Sequence, residues 1–447
     1  MLTRDEFRTL AEKVFSLSTA AEVEVLLTDG RNELTRFSNN AITQNVGSRE
    51  GAITVRTVSE GKVGKAAVNR FDDDSLARAV KAAEAVMAHA RPDPWYVPMQ
   101  GPTSYTLVHP RRYEATASFG PADRAAVVSE CVALCREAGC EAAGIVSNGE
   151  SVLGLANDKG LFLYESFTDF EFSLTVEGDD VSGWSEVAVR DVSAADLPAC
   201  MAEAVDIWKR GRSPAEAEPG RYTVILPPAA LADIVLFLGW AGFTPIGYHE
   251  GTSPLSGKIG ERIFGENITL TDDAEHPLSL GLPFDFEGTP RSRVTLVENG
   301  VMRNVVYDNR SAARFGAVST GHALPQPNSI GAFPANIVME GGDSSLEELV
   351  RTTERGILVT HLHYTNMVKP SDMTVTGMTR DGVFLVENGE IVRPLRNMRF
   401  TDSIFRVLNN VTGISAERRR VSAFFGGGFV LPAVRVEGFN FTSATGF

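Results

Sequence analysis

Apolar and polar positions change texture along the 447-residue chain. The opening segment MLTRDEFRTLAEKVF has a helical apolar period with acids interleaved. Short alternating or β-branched runs follow: EVEVLLT (22–28), ELTRF (33–37), AITQNV (41–46), AITVRTV (52–58) and KVGKAAV (62–68). Such runs predict half-buried strands, with Asp29-Gly30 and Glu60-Gly61 as turns. DDSLARAVKAAEAVMAHA predicts a helix, its acids in the first turn where the macrodipole favours them. Arg91–Pro121, rich in Pro, Tyr and polar residues, reads as an ordered linker crossing the surface.

The pattern then repeats. A helix over 122–137 precedes strand-like GIVS (144–147), SVLGLAN (151–157), GLFLYES (160–166), DFEFSLTVE (169–177) and SEVAVR (185–190), and a helix over 195–210 closes the set. An offset of 121 residues places Val68 on Val189 and Leu76 on Leu197. Residues 1–215 are therefore expected to form one α+β domain of two similar helix–meander–helix halves, about 1–90 and 122–212.

From Tyr222 onward the chain is β-rich, which predicts a second domain over 220–447. Val-Glu-Asn-Gly occurs at 297–300 and again at 386–389, each time between strand-like runs, and Asn-Gly in that setting is a strong hairpin signal. ALADIVLFLGWAGF predicts a buried helix, apolar on all sides. SLEELVRTT starts with a capping box, Ser345 and Glu348.

Composition narrows the function. Charged residues make up 22% and apolar residues 43%, ordinary for a folded domain with a sizeable core, which excludes disorder as the dominant state. The net charge of −15 comes without a local Lys/Arg excess, so no nucleic-acid surface is expected. The N-terminus lacks a signal-peptide pattern, and the most apolar stretch, Ile234 to Phe243, is far short of the ~20 residues that span a bilayer. A cytoplasmic protein without membrane contact is expected. Cys131, Cys135, Cys140 and Cys200 show no C-x-x-C pair; Cys131 and Cys135 share a helical face with Val127 and Val128, as buried thiols would. GTSPLSG (251–257) lacks the G-x-S-x-G elbow, and Gly426–Gly428 has no following Lys-Ser/Thr, so neither a serine nucleophile nor a P-loop is indicated.

Phrases in the second half carry a family resemblance: GRYTVILPPAALADIV (220–235), GKIGERIFGENITLTDD (257–273), FDFEGTPRSRVTLVENGVM (284–302), DNRSAARFG (308–316), STGHA (319–323) and GMTRDGVFLVENGEIVRP (377–394). With FSNNAITQNVGSREGAITVRTVSEGKVGKAAVNRF nearer the start, the chain resembles the TldD/PmbA (TldE) family, also called the modulator of DNA gyrase family, over nearly its whole length. The resemblance implies an α/β N-terminal domain and a β-rich C-terminal domain. It also implies a cytosolic pair of TldD-type and TldE-type subunits acting as a zinc peptidase on unfolded peptides.

In that family the TldD-type subunit carries H-E-x-x-x-H on one helix and a further Cys ligand near its C-terminus. Three protein ligands plus a water suit an open catalytic zinc site. At the matching positions this chain has Phe237 for the first His, Leu238 for the Glu and Gly242 for the second His, and residues 421–447 contain no Cys. The chain thus resembles the TldE/PmbA type, without a metal of its own; zinc is expected in a TldD-type partner. His249, Glu250, His361 and His363 remain open to three readings: a displaced metal site, contacts to substrate or partner, or structural roles. Lys258, Glu261 and Arg262 either line a cleft or form a solvated surface. Three functions stay in view: a metal-free subunit beside a zinc-bearing partner, a homodimeric peptide-binding scaffold, and an independent hydrolase using the His cluster.

Overall fold

The computed structural model describes residues 1–422 and 428–445. Its first part opens with α1 (Arg4–Leu17), β1 (Glu22–Ser38), β2 (Ala41–Ser59), β3 (Lys62–Val68) and α2 (Asp73–His89). After a single turn, α3 (Glu114–Ala117), come α4 (Pro121–Ala138), β4 (Glu141–Asn157), β5 (Phe162–Gly178), β6 (Val181–Val189) and α5 (Leu197–Gly211). The strands form one antiparallel sheet in the order β3-β2-β1-β4-β5-β6.

Several strands expected as short pairs are continuous. EVEVLLT and ELTRF are both β1, and Asp29-Gly30 is strand rather than turn. The Asp29 carboxylate is buried, accepting the Leu2 N–H at 2.7 Å and the Arg49 guanidinium at 3.1 Å. A turn-forming residue pair was thus drawn into the ladder by partners far away in sequence. AITQNV with AITVRTV, GIVS with SVLGLAN, and GLFLYES with DFEFSLTVE fuse likewise into β2, β4 and β5. The Glu60-Gly61 turn is present, both residues at positive φ.

The sheet also departs from an α/β arrangement. That class needs parallel strands linked by crossovers, whereas here β1–β2–β3 and β4–β5–β6 are meanders and the central β1–β4 pair is antiparallel. The architecture is mixed α+β. Strand register advances by 119 residues between the two meanders: Leu26 faces Thr54 as Ile145 faces Ser173, and Thr57 faces Gly64 as Val176 faces Gly183. Helix positions instead advance by 121. A Cβ on Gly64 would lie 2.0 Å from the Ala83 carbonyl oxygen, and one on Gly183 would lie 2.2 Å from that of Ala204. Leu76 therefore corresponds to Leu197, but Val68 corresponds to Val187 rather than Val189.

Helices α1, α2, α4 and α5 cover one face of the sheet. Phe7, Val14, Leu76 and Val80 pack on Val25, Leu27 and Ile53, while Val128, Cys131, Cys135 and Trp208 pack on Phe170, Phe172 and Leu174. All four cysteines are buried and free, and burial pushes Cys135 up to about 12 and Cys200 to about 11. They are core residues, as expected.

The second part contains β7 (Gly220–Leu226), α6 (Pro228–Gly242), α7 (Pro245–His249), β8 (Leu270–Asp272), β9 (Val294–Glu298), β10 (Val301–Met302) and α8 (Asn309–Phe315). There follow β11 (Ile337–Met339), α9 (Leu346–Arg351), β12 (Arg355–Lys369), β13 (Thr374–Glu387), β14 (Glu390–Pro394), β15 (Met398–Ser403), α10 (Ile404–Asn409), β16 (Val411–Ser422) and β17 (Gly428–Ala444). The sheet is mixed: β7 is parallel to β12 and β11 to β17. Because β7 also pairs with β17, strands β17-β15-β13-β12-β7 close into a ring. Both Asn-Gly pairs form the expected turns, with Asn299, Gly300, Asn388 and Gly389 at positive φ. Ser345 caps α9, accepting the Glu348 N–H.

The linker ties the two parts together. Thr103 donates to the Gly288 carbonyl, and the buried Arg111 reaches the Ala274 carbonyl and the Glu275 carboxylate. The second part thereby packs on the sheet face that the helices leave open, where Leu153, Leu155 and Phe167 meet Phe284.

Candidate functional site

Helix α6 starts on Pro227-Pro228, where proline's missing N–H costs nothing. It is apolar on nearly every side because strands surround it, among them β12, β16 and β17. Phe237 is 5% exposed and Leu238 fully buried. The Phe237 ring stacks near Trp240 at 6.3 Å. A Cβ on Gly242 would touch Leu255 Cδ1 at 3.0 Å and Met373 Cε at 3.3 Å. Leu255 and Met373 fill the space beside Gly242 that an imidazole would need.

One charge interrupts this helix. Asp233 lies one turn before Phe237, where burial raises its carboxyl while Thr365 and the His361 ring pull it down. On β12, Leu362 points into the core and its neighbours His361 and His363 point the other way. His361 Nδ1 lies 3.0 Å from Asp381 Oδ2 on β13, and its ring stacks on Trp184 of β6 at 4.4 Å, nearly parallel. Burial works to raise Asp381, yet the bonds from His361 and the Ser182 hydroxyl hold its carboxyl below the ordinary value. His363 Nε2 is 3.1 Å from Arg380, which can only donate, so that nitrogen accepts and the ring is neutral. Burial and the Arg380 charge depress its pKa. Nearby on β6, burial pushes Glu186 up to about 7, opposed by the Ser422 N–H it accepts at 2.9 Å.

His249 belongs to a different cluster. Its Nε2 is 2.8 Å from the Tyr307 hydroxyl, and its ring stacks on Phe315 of α8 at 4.1 Å. Burial depresses its pKa. Glu250 pairs with Arg314 at 2.7 Å. Lys258 approaches Glu261 at 4.0 Å and Arg262 pairs with Glu266 at 2.8 Å, all well exposed. The serines of GTSPLSG hold a turn: Ser253 donates to the Gly242 carbonyl and Ser256 to that of Ser253.

The displaced metal site is therefore not assembled. His249 with Glu250 and the His361–His363 pair have separate partners, and among the described residues no three His, Cys, Asp or Glu side chains are placed to hold one ion. The remaining seven residues carry none of these side chains. Zinc, the metal the resemblance implies, finds no side-chain donor at Phe237, Leu238 or Gly242. Phe424, Phe425, Gly426 and Gly427 lie outside the described residues. Sequence reading missed Asp233, Asp381, Trp184 and Glu186; only Asp233, a lone charge in an apolar run, carried a visible signal.

Residues 219–443 match the PmbA/TldA metallopeptidase C-terminal domain, and residues 23–86 match PmbA/TldA metallopeptidase domain 1. An uncharacterised protein of Methanocaldococcus jannaschii is 26% identical over 82% of this chain and 85% of its own. Metalloprotease PmbA of Escherichia coli O157:H7 is 25% identical over 96% of this chain and 95% of its own. The crystal structure of TldE from Thermococcus kodakarensis superposes with a TM-score of 0.87 at 24% identity, covering 98% of this chain and 99% of that one. The matched domains and the fold define a metallopeptidase-like protein. The chain belongs to the PmbA/TldD metallopeptidase family.

Proposed function

We propose that this chain is a metal-free, TldE/PmbA-like subunit of a cytosolic two-subunit zinc peptidase, shaping the channel that presents unfolded peptides to a TldD-type catalytic partner. The apolar packing at Phe237, Leu238 and Gly242 carries this reading, because a face closed by Leu255 and Met373 neither ligates zinc nor holds a catalytic water. The chain then contributes binding and orientation. His361, stacked on Trp184 between the two sheets, His363 beside it on β12, and the surface residues His249, Glu250, Lys258 and Arg262 are its contacts to peptide or partner.

The same reading divides the chain at about 215–220, into a domain of two similar halves and a β-rich domain through which the subunits dimerise. An interface of more than ~1,000 Å² is expected there. The test is co-purification with a TldD-type subunit, followed by peptidase assays of each chain alone and of the mixture. Activity is expected only with the zinc-bearing subunit present. Stoichiometric zinc on this chain alone, with peptidase activity lost on chelation, would overturn the reading.

A further inference from the structure

The two meanders share one register but not one environment. The step of 119 residues maps residues 41–50 of β2 onto 160–169 at the start of β5. Both segments lie beyond the reach of the next strand, since β3 pairs only with 53–59 and β6 only with 170–178. In β5 the open edge is covered by the chain itself. The Arg111 carbonyl accepts the Thr168 N–H at 3.0 Å, the Tyr105 hydroxyl donates to the Tyr164 carbonyl at 2.8 Å, and Leu161, Leu163 and Phe167 are buried under Phe284. In β2 all ten residues from 41 to 50 are exposed.

We propose that this edge of β2 binds an extended, unfolded peptide as an added strand; the inference rests on the peptide-handling function above and names where the peptide lies. Tyr164 and Thr168 correspond to Asn45 and Arg49, so Asn45, Gly47 and Arg49 turn their N–H and C=O groups to the open side. Their side chains leave those groups accessible: Asn45 accepts from Thr35, and Arg49 is paired with Asp29. Folded proteins guard a long edge with charged side chains, above all lysine, with proline or with a covering segment; residues 41–50, AITQNVGSRE, hold neither lysine nor proline, their two charges stand together at one end, and that of Arg49 is paired with Asp29. The occupant of the equivalent β5 edge is an extended stretch of polypeptide, which shows the form that fits. A second folded copy fits less well. A ten-residue strand is roughly 33 Å long, and a strip about 10 Å wide buries some 330 Å² per partner, well below the ~800 Å² of a stable interface. Main-chain pairing is indifferent to side-chain sequence, as a channel for unfolded segments requires.

The probe is a fluorescent, unstructured ten-residue peptide of alternating apolar and polar residues, together with its analogue N-methylated at alternate positions. The expected results are hydrogen-exchange protection of 41–50 on adding the parent peptide and at least tenfold weaker binding of the N-methylated one. A similar loss is expected in Gly47→Pro, whose missing N–H faces outward, and in Val46→Lys, with melting temperatures near wild type. Peptide binding that leaves exchange at 41–50 unchanged and protects the α6–β12 region would overturn the edge site while leaving the peptide-handling function standing. Failure of both the chain and its TldD-type complex to bind peptide at all would overturn both. Protection of 41–50 that follows protein concentration without peptide would assign the edge to a second copy and overturn the proposal.

Discussion

His322 donates from both ring nitrogens, through Nε2 to Asp272 Oδ1 at 3.0 Å and through Nδ1 to the Thr320 carbonyl at 2.8 Å. A carbonyl and a carboxylate can only accept, and neither side chain of the pair exposes any surface. Asp272 also takes the Asn336 N–H at 2.9 Å, which joins β8 to the segment before β11. Removing one partner of a buried ion pair strands the other, so Asp272→Asn is expected to cost about 3–5 kcal/mol in urea denaturation. Burial works to raise Asp272, but His322 and its other partners hold it below the ordinary value. That stabilisation is present above the unfolded pKa near 3.9 and is lost as pH falls through the lower folded one.

Glu186 and Glu287 behave in the opposite sense. Burial pushes them up to about 7 and about 8, Glu287 with help from Asp285 and Asp308. Between an unfolded value near 4.3 and those folded values the native state holds more protons, so stability is greatest below that window and falls as pH rises through it. Glu186→Gln and Glu287→Gln are expected to flatten the decline in melting temperature between about pH 5 and 8, each by a few degrees. An unchanged slope in both variants would contradict the assignment.

Rebuilding the metal site should fail. With Phe237→His, Leu238→Glu and Gly242→His combined, three polar groups enter a closed apolar space, at more than ~3 kcal/mol in total. The ligand-orienting partners a zinc site needs are also missing. Metal analysis should find no stoichiometric zinc, peptidase assays no gain over wild type, and thermal melts a marked loss.

The paired glycines of the first sheet offer a symmetric test. Gly64→Ala and Gly183→Ala each drive a methyl group into a helix backbone carbonyl, at 2.0 and 2.2 Å. Overpacking of this kind costs typically 1–3 kcal/mol or more, and the two variants should lose similar stability by chemical denaturation. A large cost at one site and none at the other would show that the halves pack differently.

Much of this architecture is visible one segment at a time. The helical period marks α2, α4 and α6, Asn-Gly marks two hairpins, and Phe237 with Leu238 announces a helix without donors. What local pattern cannot show are contacts made across distance. Asp29-Gly30 carries every mark of a turn until Leu2 and Arg49 claim its carboxylate. Val68 and Val189 align well as letters, yet the ladder pairs Val68 with Ile53 and Val189 with Phe170, which are not equivalent positions. The His322–Asp272 pair spans 50 residues and the His361–Trp184 stack spans the two sheets, so no spacing rule marks either.

The closed ring of the second sheet also governs the order of assembly. β7 meets β17 through Leu226 and Val434, 208 positions apart, whereas every strand of a meander in the first sheet finds its neighbour within one tight turn. Loop closure over such a span is slow, and contacts of that range form late. On a ribosome, the six-stranded sheet is complete while β7 still waits with one flank unpaired. Its Tyr222, Val224 and Leu226 form a short apolar ribbon open to any passing strand until β17 is synthesised. The second half of this protein thus carries an unpaired strand edge until its last strand is made.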